Sequence, residues 1–175
     1  GKATPNVTQY GLVHLDGTQA TTYARIRKLA GDDFKRASRQ RIVLQAIMEK
    51  AKKADFATLT NICNSVIDDI STSLSITQIL ALAKNVGSYS IKSTTGFPFE
   101  LTTKNLSGSG DTVIPADLAT NVKELHKYMF DDDTYVLSST VQTISDAIVY
   151  KTGINVDSAL INTSDYNETA GATGT

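Results

Sequence analysis

All five arginines of this 175-residue chain fall between Arg25 and Arg41. The arginine side chain is always charged and can bind phosphate oxygens through two parallel N–H donors. Residues 25–53 carry ten Lys/Arg and three Asp/Glu, a net charge of +7, whereas the rest of the chain carries a net charge of −8. One concentrated basic segment in a nearly neutral protein indicates a local anionic ligand. This segment is therefore the first candidate for a functional site.

Part of the basic segment is predicted to face inward from a long helix over residues 33–53, which has an acidic start and a basic end. A helical wheel places successive residues about 100° apart. One sector, predicted to face the core, carries Arg36, Arg39, Gln40, Val43, Leu44 and Ile47. The opposite sector, predicted to be solvated, carries Ser38, Arg41, Gln45, Glu49 and Lys52. An inward stripe that opens with two arginines and a glutamine requires a counter-ion.

Arg25 and Arg27 precede this helix and lie two residues apart. In an extended chain, side chains at this spacing point to the same side. We expect residues 28–32 to form a loop and both arginines to be aimed at the first turn of the long helix, where free backbone N–H groups favour anions. Cationic and amide side chains that converge there would suit a pyrophosphate better than a single carboxylate.

An internal salt-bridge network is the alternative interpretation of the same arginines. Arg36 can pair with Asp33 three residues earlier, and Arg25 or Arg27 can pair with Asp16 or Asp32. In this interpretation Asp33 is also the N-cap residue of the long helix. The residue pattern leaves ligand binding and the salt-bridge network both open.

The remaining pattern predicts a helix-rich α/β chain. Further helices are expected at 18–24, at 55–70, after a capping box at Ser75, from Pro115 onward and over 140–150. Strands are expected at 12–15, 89–91, 97–101 and 112–114, and a hairpin turn is expected at Gly108-Ser109-Gly110-Asp111. This order indicates a partial α-β-α layered domain with a short mixed sheet. Residues 1–157 are predicted to form one domain, followed by a polar Ser/Thr/Asn/Gly-rich tail over 158–175.

Several other kinds of site are disfavoured by the sequence. No apolar stretch approaches the length of a membrane span, and no leader peptide is recognised. Cys63 lacks a second thiol, and neither His14 nor His126 has a partner at metal-ligand spacing, so no metal site is predicted in these residues. The acidic run 131–133 lacks the glycine of a calcium loop and is predicted to be a solvated turn. Nucleic-acid binding would need a longer basic surface with interleaved aromatic residues.

The basic segment resembles the LytR-CpsA-Psr family of cell-envelope proteins. The resemblance is carried by Leu15-Asp16-Gly17-Thr18-Gln19-Ala20, by Tyr23-Ala24-Arg25-Ile26-Arg27, and by Gly31, Asp33, Phe34, Arg36, Arg39, Gln40 and Arg41. It implies an α/β fold that holds a polyprenyl-pyrophosphate lipid. It also implies that Arg25, Arg27, Arg36 and Gln40 contact the pyrophosphate, with Arg39 and Asp33 in supporting positions.

The resemblance further implies an enzyme, a phosphotransferase that moves a lipid-linked glycopolymer of teichoic acid or capsule type onto peptidoglycan. Family members carry aspartates for Mg²⁺ and a membrane anchor upstream of this motif, so we expect residues 1–157 to be the C-terminal part of a catalytic domain. Mg²⁺ and anchoring at the outer face of the bacterial cytoplasmic membrane are then expected of the intact protein. The chain itself is expected to leave apolar surface exposed, with self-association as one outcome. A non-catalytic envelope or regulatory module that binds polyprenyl phosphate is the alternative function.

Overall fold

A computed structural model describes residues 11–27 and 32–166. The helices are α1 Gly17–Arg25, α2 Asp32–Ala51, α3 Phe56–Val66, α4 Ile76–Lys84, α5 Leu118–Phe130 and α6 Ser139–Thr152. The strands are β1 Glu100–Leu106, β2 Gly110–Pro115 and β3 Ile161–Asn162. These elements confirm the predicted helix-rich α/β class with a short sheet. The expectation that the sheet is mixed was wrong, because both strand pairings in the described sheet are antiparallel.

Two helices begin at capping boxes that the sequence encodes locally. At α1, the Gln19 amide donates to the Asp16 carboxylate at 2.8 Å and the Asp16 amide donates to the Gln19 side chain at 3.0 Å. Ser75 and Gln78 form the same reciprocal pair at α4. Each box satisfies amide groups that the first helical turn leaves without helical partners. The predicted capping box at Ser75 is confirmed, whereas Asp16 caps a helix and does not close a strand.

The chain forms two compact units. Within the described residues, the first unit comprises 11–27 and 38–93, and the second comprises 32–37 and 94–166. In the first unit, α3 packs against α4. Leu59 of α3 is the buried apolar side chain of this unit, and Ser38 and Arg39 of α2 are also buried.

The second unit is built on a three-stranded sheet in the order β2-β1-β3. β1 and β2 form a hairpin in which Leu106 pairs with Gly110, as the glycine-rich turn predicted. The core at this sheet consists of Leu101, Ile114 and Ala116, and α5 packs against α6 beside it. The Ser145 hydroxyl accepts the backbone N–H of Ala119 at 3.1 Å, which links the two helices.

Asn121 of α5 connects this helix to the start of β1. Its side-chain oxygen accepts the backbone N–H groups of Phe99 and Glu100 at 2.6 and 3.2 Å, and its side-chain nitrogen donates to the carbonyls of Glu100 and Asp117 at 3.0 and 2.8 Å. Asn121 is 2% exposed. A buried amide that uses both its donors and its acceptor in this way satisfies the backbone N–H groups of Phe99 and Glu100 and ties α5 to the start of β1.

The polar C-terminal segment is bonded to the sheet as far as residue 163. β3 pairs with β1, and the Thr163 N–H donates to the Phe99 carbonyl at 2.8 Å. A Cβ on Gly96 would lie 3.1 Å from the Thr163 side chain, so these two segments of the chain approach each other closely here. Composition did not predict this pairing, because the strand contributes only two residues. The boundary at residue 157 stays a prediction, and residues 167–175 lie outside the described part.

Three local predictions were wrong. Among the described residues, neither 12–15 nor 89–91 forms a strand, and neither segment joins the three-stranded sheet. Pro115 ends β2 instead of opening a helix, because an edge strand tolerates the missing N–H. The following helix begins at Leu118 after the cap residue Asp117. Among the described residues, no helix has both the length and the apolar character needed to cross a membrane.

Candidate functional site

Arg25 and Arg27 flank the residue at which α1 ends. Ile26 has backbone angles φ −56° and ψ 129°, so the chain leaves the helix in an extended conformation, as predicted. Both arginine side chains are exposed. The Tyr23–Arg27 stretch therefore presents two guanidinium groups at the C-terminal end of a short helix.

Arg39 lies behind this stretch and is buried, with 7% of its surface exposed. Its guanidinium donates a hydrogen bond to the carbonyl oxygen of Ile26. The predicted inward orientation of Arg39 is confirmed. The wheel did not indicate its partner, because a backbone carbonyl leaves no signature in the sequence.

The rest of the predicted inward stripe on α2 is largely wrong. Gln40 is exposed, and Leu44 and Ile47 have 60% and 57% of their surface exposed. Ser38, predicted to be solvated, is only 1% exposed, and Arg41 is half-buried. A helical wheel ranks faces by side-chain polarity alone. It cannot show which face another element covers, and here the covered face begins at Ser38 and Arg39.

Arg36 and Asp33 form an ion pair within the first turns of α2. The guanidinium Nη2 lies 3.2 Å from the Asp33 carboxylate, and their side chains are 31% and 59% exposed. This pair is the contact that the salt-bridge alternative predicted. The N-cap role predicted for Asp33 is wrong, because the helix begins one residue earlier and the Asp33 carboxylate pairs with Arg36. An exposed pair of this kind contributes about 0–1 kcal/mol, so an anionic ligand could replace Asp33 at small cost.

The six predicted site residues thus fall into two groups. Arg25, Arg27, Arg39 and Gln40 belong to the first unit, and Arg36 and Asp33 belong to the second. Within the first unit, Arg39 and the Arg25–Arg27 segment are brought together by the bond to Ile26. The convergence of all the predicted ligands on one pyrophosphate stays a prediction.

The acidic run after α5 ends a helix. Asp131 adopts the left-handed conformation that closes α5. Hydrogen bonds from the Thr134 side chain and backbone hold the pKa of Asp132 below its ordinary value, and Asp133 pairs with Lys127 at 2.9 Å. Over the described residues, no group of three or more His, Cys, Asp or Glu side chains could hold a metal ion. These residues therefore do not fit a Mg²⁺ site, and Mg²⁺ stays a prediction for the intact protein.

The fold and the arginine segment together define a helix-rich α/β protein with an exposed cationic site. The sequence model of the LytR_cpsA_psr family matches residues 3–128, more than two thirds of the chain. The chain belongs to this family, as its arginine motif indicated. The matched region includes every predicted site residue.

A relative with a curated description is the polyisoprenyl-teichoic acid–peptidoglycan teichoic acid transferase TagV of Bacillus subtilis (strain 168). The two sequences are 26% identical over 142 residues, which cover 80% of this chain and 32% of TagV. The chain thus spans about a third of the length of the curated relative that it matches. No solved structure matches the chain significantly.

Proposed function

We propose that the intact protein is a phosphotransferase that moves an anionic glycopolymer, of teichoic acid or capsule type, from a polyprenyl-pyrophosphate carrier to peptidoglycan. Membership of the LytR_cpsA_psr family and the described activity of TagV support this class of reaction. The reaction belongs at the outer face of the cytoplasmic membrane, where peptidoglycan lies, and membrane anchoring of the intact protein is part of the proposal.

The pyrophosphate ligands in this proposal are Arg25, Arg27, Arg36 and Gln40. The single observation that carries it is the exposed pair Arg25 and Arg27 on either side of an extended, anchored residue. In the transfer step, a hydroxyl oxygen of the acceptor bonds to the phosphorus that carries the polymer, and the hydroxyl proton is released to solvent. The bond from this phosphorus to the bridging oxygen breaks, and polyprenyl phosphate leaves with the added negative charge. Fixed guanidinium groups stabilise that charge as it develops.

Titration of the chain with inorganic pyrophosphate tests the ligand assignment. Arg25→Lys keeps the positive charge but removes the planar fork that binds two phosphate oxygens together. We expect this variant to bind pyrophosphate about tenfold more weakly in calorimetry at 0.15 M salt, roughly the loss of one charge-assisted hydrogen bond.

Lys50→Met is the control for net charge, because Lys50 is exposed on α2 outside the motif and its loss removes one positive charge, which Arg25→Lys keeps. We expect the control to bind as the unmodified chain does. Unchanged binding in Arg25→Lys together with weaker binding in Lys50→Met would contradict the assignment, since binding would then depend on net charge and not on the guanidinium fork of Arg25. Tight binding without any polymer transfer by the intact protein would favour the non-catalytic module.

A further inference from the structure

Arg39 is the buried arginine of the motif, and burial of a guanidinium needs a compensating contact. In the described structure, one N–H group of Arg39 has an identified acceptor. It donates to the carbonyl oxygen of Ile26, thirteen residues earlier in the chain. Both residues belong to the first compact unit, so this contact lies within one body.

The acceptor has a particular position, because Ile26 is the residue that caps the C-terminus of α1. Carbonyl groups at a helix C-terminus lack helical partners and carry the negative end of the helix dipole. A buried cation at this point satisfies such a carbonyl and favours the helix end electrostatically. The Ile26 N–H makes only a long bond of 3.4 Å to the Tyr23 carbonyl, so the turn depends little on its own backbone contacts.

The anchored carbonyl belongs to the peptide group that joins Ile26 to Arg27. Fixing this peptide fixes the direction in which the backbone leaves α1, and with it the relative placement of the side chains of Arg25 and Arg27. We infer that Arg39 is a positioning residue, which binds no phosphate itself and instead holds the Ile26 carbonyl so that Arg25 and Arg27 face one anion together. The inference rests on the proposed function for its consequence, but the anchoring contact can be tested separately.

The test compares Arg39→Met, Arg39→Lys and the control Lys50→Met, each in the full chain. Amide hydrogen exchange of the Tyr23–Arg27 segment measures the anchor without any ligand. Calorimetry with inorganic pyrophosphate measures its effect on binding. Arg39→Met fills the same space without a donor. Arg39→Lys restores one charged donor, which is sufficient for a single carbonyl acceptor.

We expect Arg39→Met to exchange the Tyr23–Arg27 amides on the order of tenfold faster and to bind pyrophosphate about tenfold more weakly. Arg39→Lys should recover most of both losses. Arg25→Lys, by contrast, should still bind pyrophosphate more weakly than the unmodified chain, because in the proposal Arg25 contacts the ligand through its guanidinium fork. Should Arg39→Met fail to fold by circular dichroism, Arg39→Leu replaces it, because leucine also lacks a donor and has a smaller apolar side chain.

Unchanged exchange in Arg39→Met would overturn the inference whatever happens to binding, since Arg39 would then not hold the segment. Faster exchange with unchanged binding would overturn it as well, since the anchor would not matter to the ligand site. If the unmodified chain binds no pyrophosphate, the proposed ligand site fails. In that case the hydrogen-exchange measurement still shows whether Arg39 holds the Tyr23–Arg27 segment.

Discussion

The arginines of the motif differ in their exposure and in their contacts. Arg25 and Arg27 are exposed, Arg36 is paired with Asp33, and Arg39 is buried against a backbone carbonyl. These residues share one side-chain type, but their exposure differs. In our proposal the exposed arginines bind the ligand and the buried Arg39 supports them. Arg41 was predicted on the solvated face of α2, but it is half-buried and takes part in an interaction.

Gln40 offers a test at the scale of a single side chain, because it is exposed and neutral. Gln40→Glu places a negative charge where the proposal puts a pyrophosphate. We expect this variant to bind pyrophosphate about tenfold more weakly in calorimetry, since like charges at short range repel by roughly 1 kcal/mol or more. Ala46→Glu adds the same charge to an exposed position of α2 and should weaken binding by less than about twofold under the screening of 0.15 M salt. Equal effects of the two variants would remove Gln40 from the site.

At the scale of elements, the predictions that succeeded rest on local signals. The cap residue Ser75, the acidic start and basic end of α2 and the glycine-rich hairpin turn all act within a few residues of themselves. The predictions that failed needed information from distant segments. Leu12–Leu15 has a strand pattern but no described partner strand, and β3 is too short to be recognised before its pairing with β1 is known.

The same distinction explains how much of the candidate site was predictable. The residue types of the motif and the extended exit from α1 could be predicted, because they depend on neighbouring residues. The bond from Arg39 to Ile26 and the exposure of Gln40 could not, because they depend on which face of α2 is covered. The ion pair between Arg36 and Asp33 could be listed as a possibility but not chosen, because the sequence left two interpretations of these arginines open.

Asn121 is the element-scale contact whose loss should cost the most stability. Asn121→Ala removes the side-chain acceptor of the half-buried Phe99 and Glu100 N–H groups, whereas the Glu100 carbonyl still accepts from the Ala116 N–H. We expect the free energy of unfolding to fall by about 3 kcal/mol, measured by urea denaturation, because buried unsatisfied groups each cost about 1–3 kcal/mol. Asn105→Ala removes an exposed bond to Asp111 in the hairpin and should cost less than about 1 kcal/mol. Similar losses in both variants would show that Asn121 does not hold β1.

At the scale of the whole molecule, large apolar side chains are exposed in both units. Leu44 and Ile47 of α2 in the first unit, and Met129 and Phe130 of α5 in the second, each expose more than half of their surface. Contiguous apolar surface of this kind normally contacts another surface. The exposure agrees with the expectation of incompletely covered helices, and self-association stays a prediction. The chain covers about a third of TagV, so the activity is proposed for the intact protein and not for this chain alone.

Polymer transfer by the intact protein is the most direct test of the central claim. The substrates are a polyprenyl-pyrophosphate-linked glycan and a peptidoglycan acceptor, and the release of polyprenyl phosphate is measured for the unmodified protein, Arg36→Lys and the control Lys50→Met. A point charge at position 36 cannot reproduce the guanidinium fork, so we predict that Arg36→Lys slows transfer by roughly 30-fold to 1,000-fold, as for the loss of other charge-stabilising donors. The control should transfer at the unmodified rate. Near-normal transfer by Arg36→Lys, or no transfer by the unmodified protein, would contradict the account.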